Sequence, residues 1–201
     1  MHLIGFYDYT VILTYLSLVS SLVGILLASR GHFVAAVCCL MLSGVCDMFD
    51  GIVARTKKDR TADQKNFGIQ LDSLCDVVCF GVFPAILLYT HGVNTTAGIV
   101  CLIFYVLCAV IRLAFFNVLE TKRQMTEGGC AKEYRGLPVT TSAIIFPLFF
   151  LLGAFLQEQV AVTVYHVLVP VVGLLFILDF RVPKIDFVKL VKGKKAHQKI
   201  G

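Results

Sequence analysis

The stretch VCDMFDGIVAR, Val45 to Arg55, and the stretch LDSLCD, Leu71 to Asp76, place four aspartates on two segments that are otherwise apolar. The apolar residues around these acids predict membrane-spanning helices. A carboxylate at the centre of such a helix is unfavourable by roughly 2.5–3.5 kcal/mol on insertion scales. Acids kept in that setting indicate a functional site.

The composition agrees with a membrane protein. The chain has 201 residues, of which 58% are hydrophobic and 15% charged, and its mean hydropathy is +0.83. A soluble domain usually has about 25% charged residues. We therefore predict an all-α polytopic protein whose six transmembrane helices form one domain, residues 1–180, before a basic cytoplasmic tail, residues 181–201. The predicted spans are about 11–29, 33–54, 70–90, 96–118, 139–156 and 160–179.

The basic residues lie on alternate connections between these spans. Five Lys or Arg residues lie in 55–65, four in 122–135 and seven after residue 180. The positive-inside rule then predicts that both termini and both basic loops face the cytoplasm, which an even number of spans also requires. A basic surface beside a bilayer also attracts anionic headgroups, by about 1 kcal/mol per residue close to the surface.

The eight cysteines and five histidines do not form a recognisable metal motif. No pair of cysteines is matched with a pair of histidines at zinc-ligand spacing. We expect the cysteines to be small packing residues within the spans.

The first two aspartates share one side of a predicted helix. At 100° per residue, Asp47, Gly51 and Ala54 lie within about 60° of one another, and Asp50 flanks them. The small residues leave room where a bulky group can approach the helix backbone.

The next helix carries a second stripe, formed by Gly68, Asp72 and Asp76 at positions i, i+4 and i+8. The two helices are consecutive and antiparallel, and both stripes lie at their cytoplasmic ends, so the stripes can face each other. Four carboxylates so close together cannot all be ionised unless cations bind between them. Two Mg²⁺ or Mn²⁺ ions would balance four negative charges through oxygen ligands. A diphosphate that bridges the ions would fit beside the small residues, with Arg55 and the loop lysines holding its oxygens.

Three interpretations of the acids remain open at this point. Catalysis is one, and an ion or proton transporter is another, because intramembrane aspartates are typical of transport pathways. Structural pairing is the third, but Arg112 is the single basic residue within the predicted spans and cannot neutralise four acids. Acids at the membrane edge, beside glycines and a basic loop, favour catalysis over an ion path at the bilayer midplane.

The full motif resembles the signature of the CDP-alcohol phosphotransferases. Its eight fixed positions are Asp47, Asp50, Gly51, Ala54, Arg55, Gly68, Asp72 and Asp76. Twelve residues, 56–67, separate the two halves of the motif, where eight are usual. An insertion in a loop of this kind has a small entropic effect, and it can change which loop cations reach the substrate.

Within that family, the chain resembles the bacterial membrane-embedded members that make phosphatidylserine. The similar stretches are QLDSLCDVVCFGVFPA around the last two acids, RLAFFNV, YRGLPVTTSA and RVPK. In the first helix, many relatives have Pro-Asn-x-x-Thr, and the present chain keeps only the position of Thr14.

The resemblance implies transfer of the phosphatidyl group from CDP-diacylglycerol to L-serine, with release of CMP, in the cell membrane. It implies two divalent ions, Mg or Mn, a homodimer, and no nucleic acid among the partners. The implied metal ligands are Asp47, Asp50, Asp72 and Asp76, and Asp76 is also the implied general base. The implied CDP-lipid site is lined by Gly51, Ala54, Arg55 and Gly68.

Serine is a zwitterion, so its carboxylate needs a cation and its ammonium needs an acceptor. The candidates near the cytoplasmic ends of the spans are Arg112, Asn117 and Arg135. Family members that use glycerol 3-phosphate or inositol phosphate share the same signature. A phosphorylated acceptor needs a denser basic pocket, for which Lys57, Lys58 and Lys65 are available. A transporter remains the remote alternative, and it would release no CMP.

Overall fold

The structure is a computed structural model, and it describes residues 5–6, 9–54, 56–57, 59–125 and 133–183. At residues 54, 123–125, 133–135, 158 and 181–183 it describes the backbone only. The described part of the chain is helical apart from one pair of short strands.

Seven α-helices and two strands make up the described chain. The helices are α1 Ile12–Ser29, α2 Phe33–Ala54, α3 Ala62–Asp76, α4 Phe83–Thr90, α5 Thr96–Met125, α6 Ser142–Gly153 and α7 Glu158–Ile177. The strands are β1 Glu133–Arg135 and β2 Arg181–Pro183, and they pair antiparallel. Single 3-10 turns, Tyr9–Val11 and Val139–Thr141, precede α1 and α6.

Five helical segments of the described chain are long and apolar enough to cross a bilayer. They are Tyr9–Ser29, Phe33–Val53, Ala62–Thr90, Thr96–Lys122 and Gln159–Ile177. The chain is therefore a multi-pass membrane protein, and the all-α prediction is confirmed.

The predicted span at 139–156 is shorter than expected. Its helix, Val139–Gly153, ends three residues early and is about 22 Å long at 1.5 Å per residue, against a hydrocarbon core of about 30 Å. Only residues 154–157 connect it to α7, so the chain must turn directly after Gly153. The six predicted spans therefore correspond to five long helical segments and one short helix in the described chain.

The third span is longer than predicted and irregular. It runs from Ala62 to Thr90 as α3, a π-helical segment Val77–Val82, and α4. It begins at Ala62 instead of residue 70 because Thr61 caps the helix: its hydroxyl accepts from Gln64 N at 3.2 Å, and its own N–H donates to Gln64 Oε1 at 3.1 Å. The π-helical segment follows Asp76 directly, as such segments often do at functional sites.

Small and hydroxyl-bearing residues hold α1 against its neighbours. The hydroxyls of Ser17 and Ser43 are 2.6 Å apart between α1 and α2, and Ser20 Oγ donates to Cys39 O at 2.9 Å. Such contacts are the usual means by which membrane helices associate. The side chains that fill the centre of the bundle are fully buried and include Phe80, Phe83, Tyr105, Phe146 and Phe176.

The strand pair joins the loop before α6 to the chain that follows α7. Gly136, directly after β1, has a φ of 72°, and its N–H donates to Phe180 O at 2.7 Å. A Cβ at Gly136 would lie 2.9 Å from Leu178 O, so the position requires glycine. Residues 181–183 of the predicted tail thus form β2, while residues 184–201 lie outside the described chain.

Candidate active site

Three aspartates from two helices meet at one point. Asp47 and Asp50 of α2 and Asp72 of α3 each place a carboxylate oxygen within 4.8 Å of the other two. The two helices place them there because the i, i+3 and i, i+4 spacings keep the acids on facing sides. We call these three residues, with Asp76, the acid cluster.

Asp76 is the deepest member of the acid cluster. Its side chain is only 7% exposed, and its carboxyl group lies close to that of Asp47. Asp50 and Asp72 form a second close pair. Two carboxyl groups in contact need a positive charge between them, which is either a proton or a metal ion.

The acid cluster fits a divalent cation. Asp72 Oδ1 is buried and has no hydrogen-bond partner among the described residues, although buried polar atoms are nearly always satisfied. Carboxylate oxygens are the ligands that Mg²⁺ and Mn²⁺ prefer. The unsatisfied oxygen is therefore what a metal-binding carboxylate is expected to show.

A third helix supports the acid cluster through Thr14. The Thr14 hydroxyl of α1 donates to Asp50 Oδ2 at 3.1 Å, and the threonine is buried. This residue lies at the one first-helix position that matched the family pattern, but the sequence did not indicate that it would contact an aspartate. The contact spans 36 residues, so no local pattern could reveal it.

The predicted CDP-lipid residues are in different environments. Gly51 is exposed, and nothing lies within 4 Å of a Cβ added there. A Cβ added at Gly68 would lie 2.6 Å from the Nη2 of Arg60, a residue that the sequence did not single out. Ala54 is the last residue of α2 and is described by its backbone alone, and Arg55 lies outside the described residues.

Asn117, one of the predicted serine-binding residues, is engaged by α3. Its Oδ1 accepts from Ser73 Oγ at 2.7 Å, and its Nδ2 lies 3.5 Å from Gln70 Oε1. Because Ser73 is adjacent to Asp72, this contact fixes α5 beside the acid cluster. Asn117 therefore has a positioning contact that occupies its carbonyl oxygen.

Arg112, the second predicted residue, is 7% exposed and only partly satisfied. Its Nε donates to Leu137 O at 3.2 Å, whereas its Nη1 is buried and has no hydrogen-bond partner in the part of the chain that the structure describes. It lines a cavity of about 290 Å³ between α5 and the end of α7, together with Phe115 and Asp179. A desolvated guanidinium nitrogen beside a cavity is available to an anionic ligand.

Arg112 lies at nearly the same depth in the bundle as Asp76. A Cβ at Gly81 would be 3.5 Å from Ala109 Cβ, and the Ser73 contact described above lies two turns further along α5. In antiparallel helices, residues between two such contacts lie at intermediate levels along the bundle axis. Both Arg112 and Asp76 fall between them.

Arg135, the third predicted residue, is the last residue of β1, where its backbone pairs with that of Arg181. Its side chain lies outside the described part of the chain. The predicted role of Arg135 therefore stays a prediction.

Comparison with known proteins gives a consistent result. A family model described as CDP-alcohol phosphatidyltransferase matches residues 9–177, which include the whole acid cluster. The archaetidylserine synthase of Methanothermobacter thermautotrophicus is 35% identical over 176 residues, which cover 87% of this chain and 69% of the relative. The CDP-diacylglycerol–serine O-phosphatidyltransferases of Methanocaldococcus jannaschii and Helicobacter pylori are 35% and 30% identical, over 85% and 86% of this chain and 71% and 70% of their own lengths.

Proposed function

The chain belongs to the CDP-alcohol phosphatidyltransferase family, and on that premise we propose that it transfers the phosphatidyl group of CDP-diacylglycerol to the hydroxyl of L-serine. The products are phosphatidylserine and CMP. Family membership confirms the resemblance that the aspartate motif carries.

The observation that carries the proposal is the meeting of Asp47, Asp50 and Asp72 within 4.8 Å, with one oxygen of Asp72 left unsatisfied. Serine as the acceptor is supported by the relatives, whose names all specify a serine product or substrate. The names differ in the lipid, since one specifies an archaetidyl product. The names of the relatives therefore support serine as the acceptor more strongly than they support one kind of lipid donor.

The acid cluster would hold divalent ions, Mg²⁺ or Mn²⁺, and four carboxylates suit two of them. Asp47, Asp50 and Asp72 would be ligands, and the more deeply buried Asp76 would be the fourth ligand. When bound, the ions neutralise the carboxylates and the diphosphate and polarise the phosphoryl group. Thr14 would keep the Asp50 carboxylate in its ligating orientation through the bond at 3.1 Å.

Asp76 would be the general base. A serine hydroxyl is a weak nucleophile, and a positioned carboxylate that accepts its proton contributes typically 10²–10⁴-fold to the rate. The hydroxyl oxygen forms a bond to the phosphorus that carries diacylglycerol, the bond from that phosphorus to the bridging oxygen breaks, and CMP leaves with the electron pair. The burial of Asp76 excludes bulk water from this proton transfer.

Arg112 would hold the serine carboxylate. Three observations support this role: its Nη1 is unsatisfied, it lines a cavity, and its level along the bundle axis is close to that of Asp76. Asp179 lines the same cavity. Arg135 remains an alternative for the carboxylate.

We further propose that the acid cluster and both termini face the cytoplasm, since the basic loops around the cluster are the ones that the positive-inside rule assigns to that side. The family resemblance supports a homodimer. The division into a catalytic domain, residues 1–180, and a tail, residues 181–201, is part of the same proposal.

The test is CMP release from purified protein with CDP-diacylglycerol and Mn²⁺ or Mg²⁺. Serine, glycerol 3-phosphate and inositol phosphate are compared as acceptors in parallel. We expect CMP release that depends on serine and on the metal. Release with a phosphorylated acceptor alone would keep the reaction class and overturn the acceptor, and no release with any acceptor would favour a transporter.

A further inference from the structure

Arg60 lies against the motif glycine of α3. Its Nη2 donates to Gln64 O at 3.1 Å, and a Cβ at Gly68 would be 2.6 Å from the same nitrogen. Its Nε is buried without a partner. Among the residues that the structure describes, the Gln64 carbonyl is its one hydrogen-bond acceptor.

This position does not stabilise the helix. A positive charge near a helix N-terminus is unfavourable, because the macrodipole is positive at that end. The Gln64 carbonyl that accepts from Arg60 lies within α3, so it can also accept a hydrogen bond from the helix backbone. The buried Nε adds the penalty of an unsatisfied donor. An anion that accepts hydrogen bonds from the guanidinium would satisfy its remaining donors and balance its charge.

The location suits the nucleotide half of the substrate. Gly68 precedes Asp72 by one helical turn on the same stripe, so the guanidinium beside Gly68 lies about 6 Å along the helix axis from the level of Asp72. If bound ions balance the four aspartates, the diphosphate of the lipid donor still brings negative charge. A planar guanidinium is suited to a phosphate because it offers parallel donors.

We propose, on the basis of the proposed function, that Arg60 binds the phosphate of the CMP half of the lipid donor. Gly68 then lacks a side chain so that this guanidinium can lie against α3. Arg60 belongs to the twelve-residue connection, 56–67, whose length departs from the usual eight, so this contact is a feature of the present chain's longer loop. Because CMP is the leaving group, the contact also favours its departure.

The experiment measures equilibrium binding of CMP and of cytidine to the purified full-length protein with Mn²⁺. The variants are Arg60→Ala, Arg60→Lys, Gly68→Ala, the double variant Arg60→Ala/Gly68→Ala, and Lys122→Ala as a matched loss of one exposed positive charge at the end of α5. Thermal unfolding of each variant verifies that it is folded.

We expect Arg60→Ala to weaken CMP binding by about 10- to 100-fold, Arg60→Lys to weaken it less, and Lys122→Ala to change it by less than about twofold. Cytidine binding should be unaffected by Arg60→Ala. Gly68→Ala should weaken CMP binding when Arg60 is present and have little further effect without it. Unchanged CMP binding in Arg60→Ala, or an equal loss of cytidine and CMP, would overturn the role of Arg60 alone, whereas a wild-type protein that binds no CMP would overturn the proposed function with it.

Discussion

Asp76 differs from the other three aspartates in its burial, although all four belong to one motif. It is 7% exposed, and it precedes the π-helical segment directly. Its neighbours in the cluster, Asp47, Asp50 and Asp72, are more accessible. The proton-accepting role is therefore assigned to the residue that water reaches least.

The variant Asp76→Asn tests this assignment. The amide keeps the shape of the side chain and an oxygen ligand, but it cannot accept a proton. We expect serine-dependent CMP release to fall by at least about 10²-fold while CMP binding with Mn²⁺ stays within roughly fivefold of wild type. Asp47→Ala is the comparison, and it should lose the metal-dependent nucleotide binding itself. Normal turnover in Asp76→Asn would remove Asp76 from the role of base.

Arg112 and Arg135 are alternative candidates for binding the serine carboxylate. If Arg112 holds it, Arg112→Ala should raise the KM for serine by about tenfold or more and leave the KM for CDP-diacylglycerol within about twofold. Arg135→Ala, measured in the same assay, should have the smaller effect on serine. The reverse order would transfer the role to Arg135, and equal changes in both KM values would exclude either arginine from specific serine recognition.

At the scale of the element, α2 uses two glycines on nearly the same face for different purposes. A Cβ at Gly44 would lie 2.6 Å from Ala143 Cβ of α6, whereas Gly51, two turns later, faces open space. The first glycine permits two helices to approach, and the second leaves room beside the acid cluster. One helix therefore has a glycine at a packing contact and a second glycine beside open space.

The pair Gly44→Ala and Gly51→Ala separates these purposes. Gly44→Ala should reduce the free energy of unfolding by about 1–3 kcal/mol, because the new methyl group overlaps a short, rigid side chain. Gly51→Ala should keep the thermal stability of wild type in detergent and weaken CMP binding. A stable Gly44→Ala protein would show that α6 can move away from α2, and unimpaired CMP binding in Gly51→Ala would place the nucleotide elsewhere.

The start of α3 can be predicted from the sequence, but a hydropathy window alone misses it. Residues 62–69 are largely polar, so an apolar window places the start of the span at residue 70. The capping box formed by Thr61 and Gln64 is a local signal that predicts a helix start at the correct position. The π-helical segment, by contrast, packs against α5, a tertiary contact that the local sequence does not predict.

At the scale of the whole molecule, the sequence was most informative where chemistry and periodicity coincide. The spacing of Asp47, Asp50 and Asp72 predicted that these acids would meet, because two antiparallel helices leave few other arrangements. The contact of Thr14 with Asp50 and the position of Arg60 over Gly68 depend on tertiary packing and loop conformation. Supporting residues of this kind cannot be predicted from the spacing of the ligands that they support.

The acid cluster also links metal binding to the stability of the whole bundle. Without cations, four close carboxylates repel one another across the interface of α2 and α3, which opposes the packing of these helices. An ion that binds the folded state but not the unfolded chain adds about 2.7 kcal/mol at a concentration one hundred times its Kd. Metal should therefore stabilise this protein more than a generic membrane bundle.

We expect Mn²⁺ to raise the Tm of the wild-type protein in detergent by roughly 5–10 °C over its value in EDTA. Asp72→Asn removes one negative charge and replaces the carboxylate, whose Oδ1 is unsatisfied, with a neutral and weaker oxygen ligand. In EDTA this variant should be at least as stable as wild type, because the repulsion is reduced, and Mn²⁺ should raise its Tm by less than half as much. Ca²⁺ at the same concentration controls for ionic strength and for the preference of the site for smaller ions. An equal Mn²⁺ shift in Asp72→Asn and wild type would place the ion away from Asp72, and a variant less stable than wild type in EDTA would show that the carboxylate has a structural partner other than a metal.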